Sequence, residues 1–151
     1  MKIIIYTDGA ASGNPGPGGY GAVLMSGKHR KELSDGFRKT TNNRMELLAV
    51  IVALETLKFP NSEVTLYSDS KYVVDSINKE WVFGWEKKNF KAKANPDLWQ
   101  RFLKIYRQHK ITFIWVKGHA NNPENEKCDE LAVSAYHKPD LQADMAYEAT
   151  H

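Results

Sequence analysis

A chain of 151 residues, 42% hydrophobic and 26% charged, is too apolar for intrinsic disorder and long enough for one domain with its own core. Its net charge of +3 and pI near 8.9 permit a polyanionic partner without requiring one. Cys128 is the only cysteine, which excludes an intramolecular disulfide and fits a reducing cytoplasm, and no window is apolar enough for a signal-peptide core or a membrane span.

The apolar run Ile3 to Ile5 and Tyr6 stops at Asp8 and meets the stretch TDGAASGNPGPGGYG. A β-branched run cut short by Gly and Pro predicts a strand over residues 2–8 entering a tight connection, with Asp8 at its end. Residues 19–26 and about 30–38 read as two more strands, joined through Ser26-Gly27-Lys28 into an antiparallel meander. The stretch TTNNRMELLAVIVALETL at 40–57 then turns helical, and because 47–54 is apolar almost all round, this helix should be buried on most sides. Phe59-Pro60-Asn61 ends it.

In residues 63–68, Val64 and Leu66 alternate with Thr65 and Tyr67, giving a fourth strand that ends at Asp69 as the first ends at Asp8. A helical region over about 71–85, a basic loop, and a helix from Asp97 follow, the last with Leu98, Trp99, Phe102, Leu103 and Tyr106 at helical spacing. Residues 111–116 form a fifth strand, and Cys128, Leu131, Ala132 and Ala135 mark the buried stripe of a last helix. From Pro139 onward no pattern is strong, so the expectation is a domain over 1–138 with a loosely held tail at 139–151.

This order describes an α/β fold: a mixed five-stranded sheet, three antiparallel strands and then two parallel ones, flanked by helices. Right-handed crossovers set strands four and five parallel to strand one, which would make the strand ends at Asp8 and Asp69 neighbours.

Each candidate residue also has a plainer role open to it. Asp8 before Gly could form a turn, Glu46 three residues after Asn43 could complete a capping box, and Asp69 could cap the next helix. Asp129 would suit a helix dipole in the first turn of the last helix, and His119 could be an ordinary surface histidine. Trp81 and Trp85, beside the basic segment, are candidate substrate contacts, but their i and i+4 spacing also suits core packing, the better default for the pair. Lys87, Lys88, Lys91 and Lys93 could be a solvated face, although clustering beside aromatics favours polyanion contact.

Taken together, TDGAASGNPGPGGYG, NNRMELLA, YSDS and GHANNPENEKCDELA resemble the four signature blocks of bacterial type 1 ribonuclease H, in order and over residues 2 to about 137. The resemblance implies a ribonuclease H-like fold and an endonuclease that hydrolyses the RNA strand of RNA/DNA hybrids, leaving 5′-phosphate and 3′-hydroxyl ends. It implies a divalent-metal site of Asp8, Glu46, Asp69 and Asp129, with His119 as a proton relay. Hard oxygen ligands suit Mg²⁺ or Mn²⁺, and two ions about 3.5–4 Å apart can serve an in-line attack by water. Asn14, Thr41, Asn42 and Asn43 match positions resembling the family's phosphate- and groove-contacting residues, and 83–97 resembles its basic protrusion. A cytoplasmic monomer acting on a hybrid, with no membrane partner, is the corresponding expectation. A catalytically silent nucleic-acid-binding module and a DNA-cutting nuclease of the same fold are the rival readings.

Overall fold

A computed structural model describes residues 2–118 and 121–151. The strands are β1 (Lys2–Ala11), β2 (Gly16–Ser26), β3 (His29–Thr40), β4 (Glu63–Ser68) and β5 (Lys110–Trp115). The helices are α1 (Asn42–Glu55), α2 (Lys71–Asn78), α3 (Trp81–Lys87), α4 (Pro96–Tyr106), α5 (Pro123–Tyr136) and α6 (Met145–Thr150). The sheet runs β3-β2-β1-β4-β5, antiparallel through the first three strands in sequence and parallel between β1, β4 and β5. This is the mixed five-stranded sheet that the sequence leads one to expect.

The core lies against one face of the sheet around α1. From Met45 to Leu54 only Val52 is not buried, and this all-round apolar helix packs on Ile3, Ile5, Leu66 and the α4 residues Trp99, Phe102 and Leu103. Thr41 caps it, its hydroxyl accepting from the Arg44 N–H at 3.2 Å. α5 covers the other face over β1 and β2, its buried residues Asn125, Cys128, Ala132 and Ala135 forming a narrow small-residue stripe.

Three expectations change. β1 does not stop at Asp8: it runs on to Ala11 against β2, pairing Asp8 with Gly21 and Ala11 with Gly18. Some of the glycines that read as turn formers serve close packing instead, since a Cβ on Gly9 would collide with the backbone at Met45 and Glu46, and one on Gly21 with the Cys128 carbonyl. The helical region over 71–85 breaks at Lys79-Glu80, where Glu80 takes φ 63°, and so forms α2 and α3.

The segment after Pro139 is also no loose tail. Gln142 bridges Phe37 on β3, the Arg38 N–H donates to the Gln142 carbonyl at 2.9 Å, and the Arg38 guanidinium holds both carboxylate oxygens of Glu148 on α6. Polar anchors of this kind leave no apolar periodicity, so the pattern that marks the other elements is missing here. Among the described residues no helix is long and apolar enough to cross a membrane.

Candidate active site

The last parallel pairs of the ladder are Thr7 with Ser68 and Ser68 with Trp115. Asp8 and Asp69 each stand one residue beyond such a pair, so the parallel register alone makes them neighbours. Glu46 reaches the same point from α1. Carboxylate oxygens of Asp8, Glu46 and Asp69 all lie within 4.8 Å of one another.

The Gly9 N–H is shared between two of these groups, donating to Glu46 Oε1 at 2.6 Å and to Asp8 Oδ1 at 2.9 Å. Close approach at Gly9 is therefore what docks the start of α1 onto β1. Asp69 is steered from β5: its carbonyl accepts from the Trp115 indole N–H at 3.1 Å, and Gly118 lies so near that a Cβ there would stand 2.8 Å from Asp69 Oδ2. Asp69 Oδ1 is buried and finds no hydrogen-bond partner among the described residues.

Crowded, sheltered carboxylates resist ionisation. Burial, reinforced by the Asp69 charge, pushes Asp8 up to about 8, and burial followed by the Asp8 charge holds Glu46 well above the usual carboxylate range. Asp129 is half-buried on α5, one residue after Cys128, and its charge adds to the effect on Asp8 although it stands outside the cluster of three. His119 lies outside the described residues.

The plainer roles for these acids do not match the geometry. Ser70, not Asp69, caps α2, its hydroxyl accepting from the Val73 N–H at 3.2 Å. Thr41, not Asn43, caps α1, so Glu46 completes no capping box, and its carboxylate points to Gly9 instead. α5 begins at Pro123 with Asn122 as its cap, which sets Asp129 in the helix's second turn. Asp8 lies within a strand and forms no turn.

Beside the acids, Asn14 Oδ1 accepts from the Asn42 N–H at 3.2 Å, tying the β1–β2 connection to the start of α1. Asn42 and Asn43 are exposed there and Thr41 is half-buried. Trp81, Gly84, Trp85, Lys88, Lys91 and Lys93 line a separate open cleft of about 300 Å³. Trp81 is 47% exposed, which corrects the core-packing expectation for it, and the Lys79 ammonium sits 5.2 Å from its ring centre. Trp85 does pack inward, edge-on to Trp99 at 5.8 Å, while Lys93 lies over its other side at 5.2 Å. Lys87, in the last turn of α3, is exposed but does not line the cleft. Glu86 does not oppose these lysines directly, because the Arg107 guanidinium grips both its oxygens at 2.6 and 2.9 Å.

Lys79, Trp115 and Gly118 carry no signal in the sequence. Only their positions in the fold, flanking Trp81 and Asp69, single them out.

The chain is similar to known proteins over most of its length. A family model described as RNase H matches residues 1–137. A ribonuclease H from Syntrophus aciditrophicus is 60% identical over 151 residues, covering 97% of this chain and 87% of the relative. A ribonuclease HI from a Synechocystis species is 53% identical over 141 residues, covering 89% and 88%. Among solved structures, LC9-RNase H1, a type 1 RNase H with the type 2 active-site motif, superposes with a TM-score of 0.83 at 28% identity, covering 99% of this chain and 81% of that one. LC11-RNase H1, solved in complex with an RNA/DNA hybrid, gives a TM-score of 0.68 at 30% identity over 89% and 96%.

Proposed function

Because this chain belongs to the RNase H family, we propose that it is an endoribonuclease H that hydrolyses the RNA strand of RNA/DNA hybrids and leaves 5′-phosphate and 3′-hydroxyl ends. The observation that carries this reading is the convergence of Asp8, Glu46 and Asp69, from β1, α1 and the end of β4, on one point beside a polar rim.

The donor set fits a hard divalent cation. Three carboxylates lie in reach of one another, one with a buried oxygen that has no partner among the described residues, and burial and repulsion make the charged forms of Asp8 and Glu46 unfavourable until positive charge arrives. Asp8, Glu46 and Asp69 would hold Mg²⁺, with Mn²⁺ as the alternative, and Asp129 would complete the site from α5. When bound, two such ions supply an activated water and neutralise charge on the phosphate and leaving oxygen.

The chain's own residues do the rest. The Gly9 N–H holds the carboxylates of Asp8 and Glu46, and the Trp115 indole holds the main chain at Asp69, so little reorganisation is needed when substrate arrives. Asn14, Thr41, Asn42 and Asn43 form the rim that reads the minor groove and its 2′-hydroxyls, which separate the RNA strand from DNA. The cleft between Trp81, Trp85 and the lysines takes phosphates of the other strand. The unpaired Cys128 suits a cytoplasmic setting, and the protein works as a monomer over residues 1–138 with 139–151 as part of the same domain.

Cleavage of uniformly labelled RNA/DNA hybrid, DNA duplex and RNA duplex, each with Mg²⁺ and with chelator, tests the reading. RNA-strand cleavage of the hybrid alone is expected, and DNA-strand cleavage would overturn it. Two variants probe the supporting residues. Neutralising Lys87, Lys88, Lys91 and Lys93 together weakens hybrid binding about tenfold or more at moderate salt and flattens its salt dependence by up to ~0.9 in log–log slope for each phosphate left without its lysine. His119→Ala lowers turnover by roughly 10²-fold without abolishing it, the scale of a proton relay, and steeper loss would make the histidine indispensable.

A further inference from the structure

Arg44 lies two residues before Glu46 and is 4% exposed, yet all five of its guanidinium donors are used. Nε and Nη2 donate to the two oxygens of Asp144 at 2.7 and 3.0 Å, Nη1 and Nη2 to those of Asp97 at 2.9 and 2.8 Å, and Nη1 to Asn95 Oδ1 at 3.2 Å. Asp144 Oδ2 also accepts from the Thr40 hydroxyl at 2.7 Å. Although Asp144 opens α6, its carboxylate makes no capping bond to that helix.

Thr40 and Arg44 flank the tripeptide Thr41-Asn42-Asn43. One buried carboxylate from the C-terminal segment thus holds both ends of the rim. Thr40 closes β3 and Arg44 lies in the first turn of α1, so the link spans the corner where strand becomes helix. Outside it, Arg38 with Glu148 and with the Gln142 carbonyl fastens the segment to β3.

We propose that Asp144 is a positioning residue for substrate: by gripping Thr40 and Arg44 it fixes the Thr41-Asn43 corner in the geometry that receives the hybrid. The C-terminal segment then acts on substrate affinity without touching substrate. This rests on the proposed function, in which Asn42 and Asn43 meet the hybrid.

Steady-state kinetics on a hybrid, well below each variant's Tm, tests it. Asp144→Asn raises KM about tenfold, comparable to losing one charge-assisted hydrogen bond, with kcat changed less than twofold. Val64→Ala, a core change at the far end of β4, lowers Tm but leaves KM alone, which separates positioning from stability. Asn42→Ala/Asn43→Ala also raises KM, and adding Asp144→Asn to it raises KM further by well under tenfold, because both act through one corner.

If Asp144→Asn does not fold, Thr40→Val carries the test, since it removes a single bond to Asp144 and keeps the ion pairs; a KM rise of about threefold is expected. An unchanged KM in Asp144→Asn, or in Thr40→Val where that stands in, alongside a raised KM in the double asparagine variant, overturns the clamp and leaves the rim standing. An unchanged KM in the double asparagine variant overturns both.

Discussion

Asp69→Asn lowers Mg²⁺-dependent cleavage of an RNA/DNA hybrid by ~10³-fold or more while leaving the fold intact, the scale of the several kcal/mol that a divalent-ion site contributes to charge stabilisation. Asparagine keeps the shape of the side chain, but its amide supplies one neutral oxygen where Asp69 offers a buried oxygen that has no protein partner among the described residues. The fold should tolerate this. Ser70 caps α2, and Trp115 bonds to the Asp69 main-chain carbonyl, so neither contact needs the carboxylate. Circular dichroism and Tm close to the parent, with cleavage lost, are the expected pair of results. Retained cleavage would remove Asp69 from the site.

The neighbourhood of Asp8 and Asp69 was legible in the sequence because it follows from topology. Right-handed crossovers make β1 and β4 parallel neighbours, and both apolar runs end at the same height. Glu46 was harder: its capping alternative fails only once Thr41 is seen to cap α1. The extent of β1 misled because glycine serves both turns and close packing, and Gly9, Gly18, Gly19 and Gly21 use it for packing under α1 and α5. Trp81 and Trp85 share a helical spacing that hides their difference. The break at Glu80 turns α3 so that Trp85 meets Trp99 while Trp81 stays in the open with Lys79. The C-terminal segment was illegible because ion pairs hold it, and ion pairs between residues a hundred positions apart leave no periodic mark.

The same crowding that suits Asp8 to a cation should make it a burden without one. Its folded pKa of about 8 lies well above the roughly 3.9 of an unfolded aspartate, so between those values the folded state binds the extra proton. Stability linked to Asp8 is therefore fully present below about pH 4 and is lost as pH rises through 8. An asparagine in place of Asp8 cannot ionise, and its side-chain oxygen can still accept from the Gly9 N–H. In chelator, Asp8→Asn should match the parent near pH 4 and exceed it by ~2 kcal/mol at pH 8, about 4–8 °C in Tm for a domain of this size. Coupling to Glu46 works in the same direction, since removing the Asp8 charge eases a second buried acid. Millimolar Mg²⁺ should then stabilise the parent but not the variant, because only the parent retains the Asp8 charge that the cation would meet. Thermal melts from pH 4 to 8, with chelator and with Mg²⁺, check both halves. A variant no more stable than the parent at pH 8 in chelator would mean that the acids are not in conflict, and the electrostatic case for a cation between them would fall.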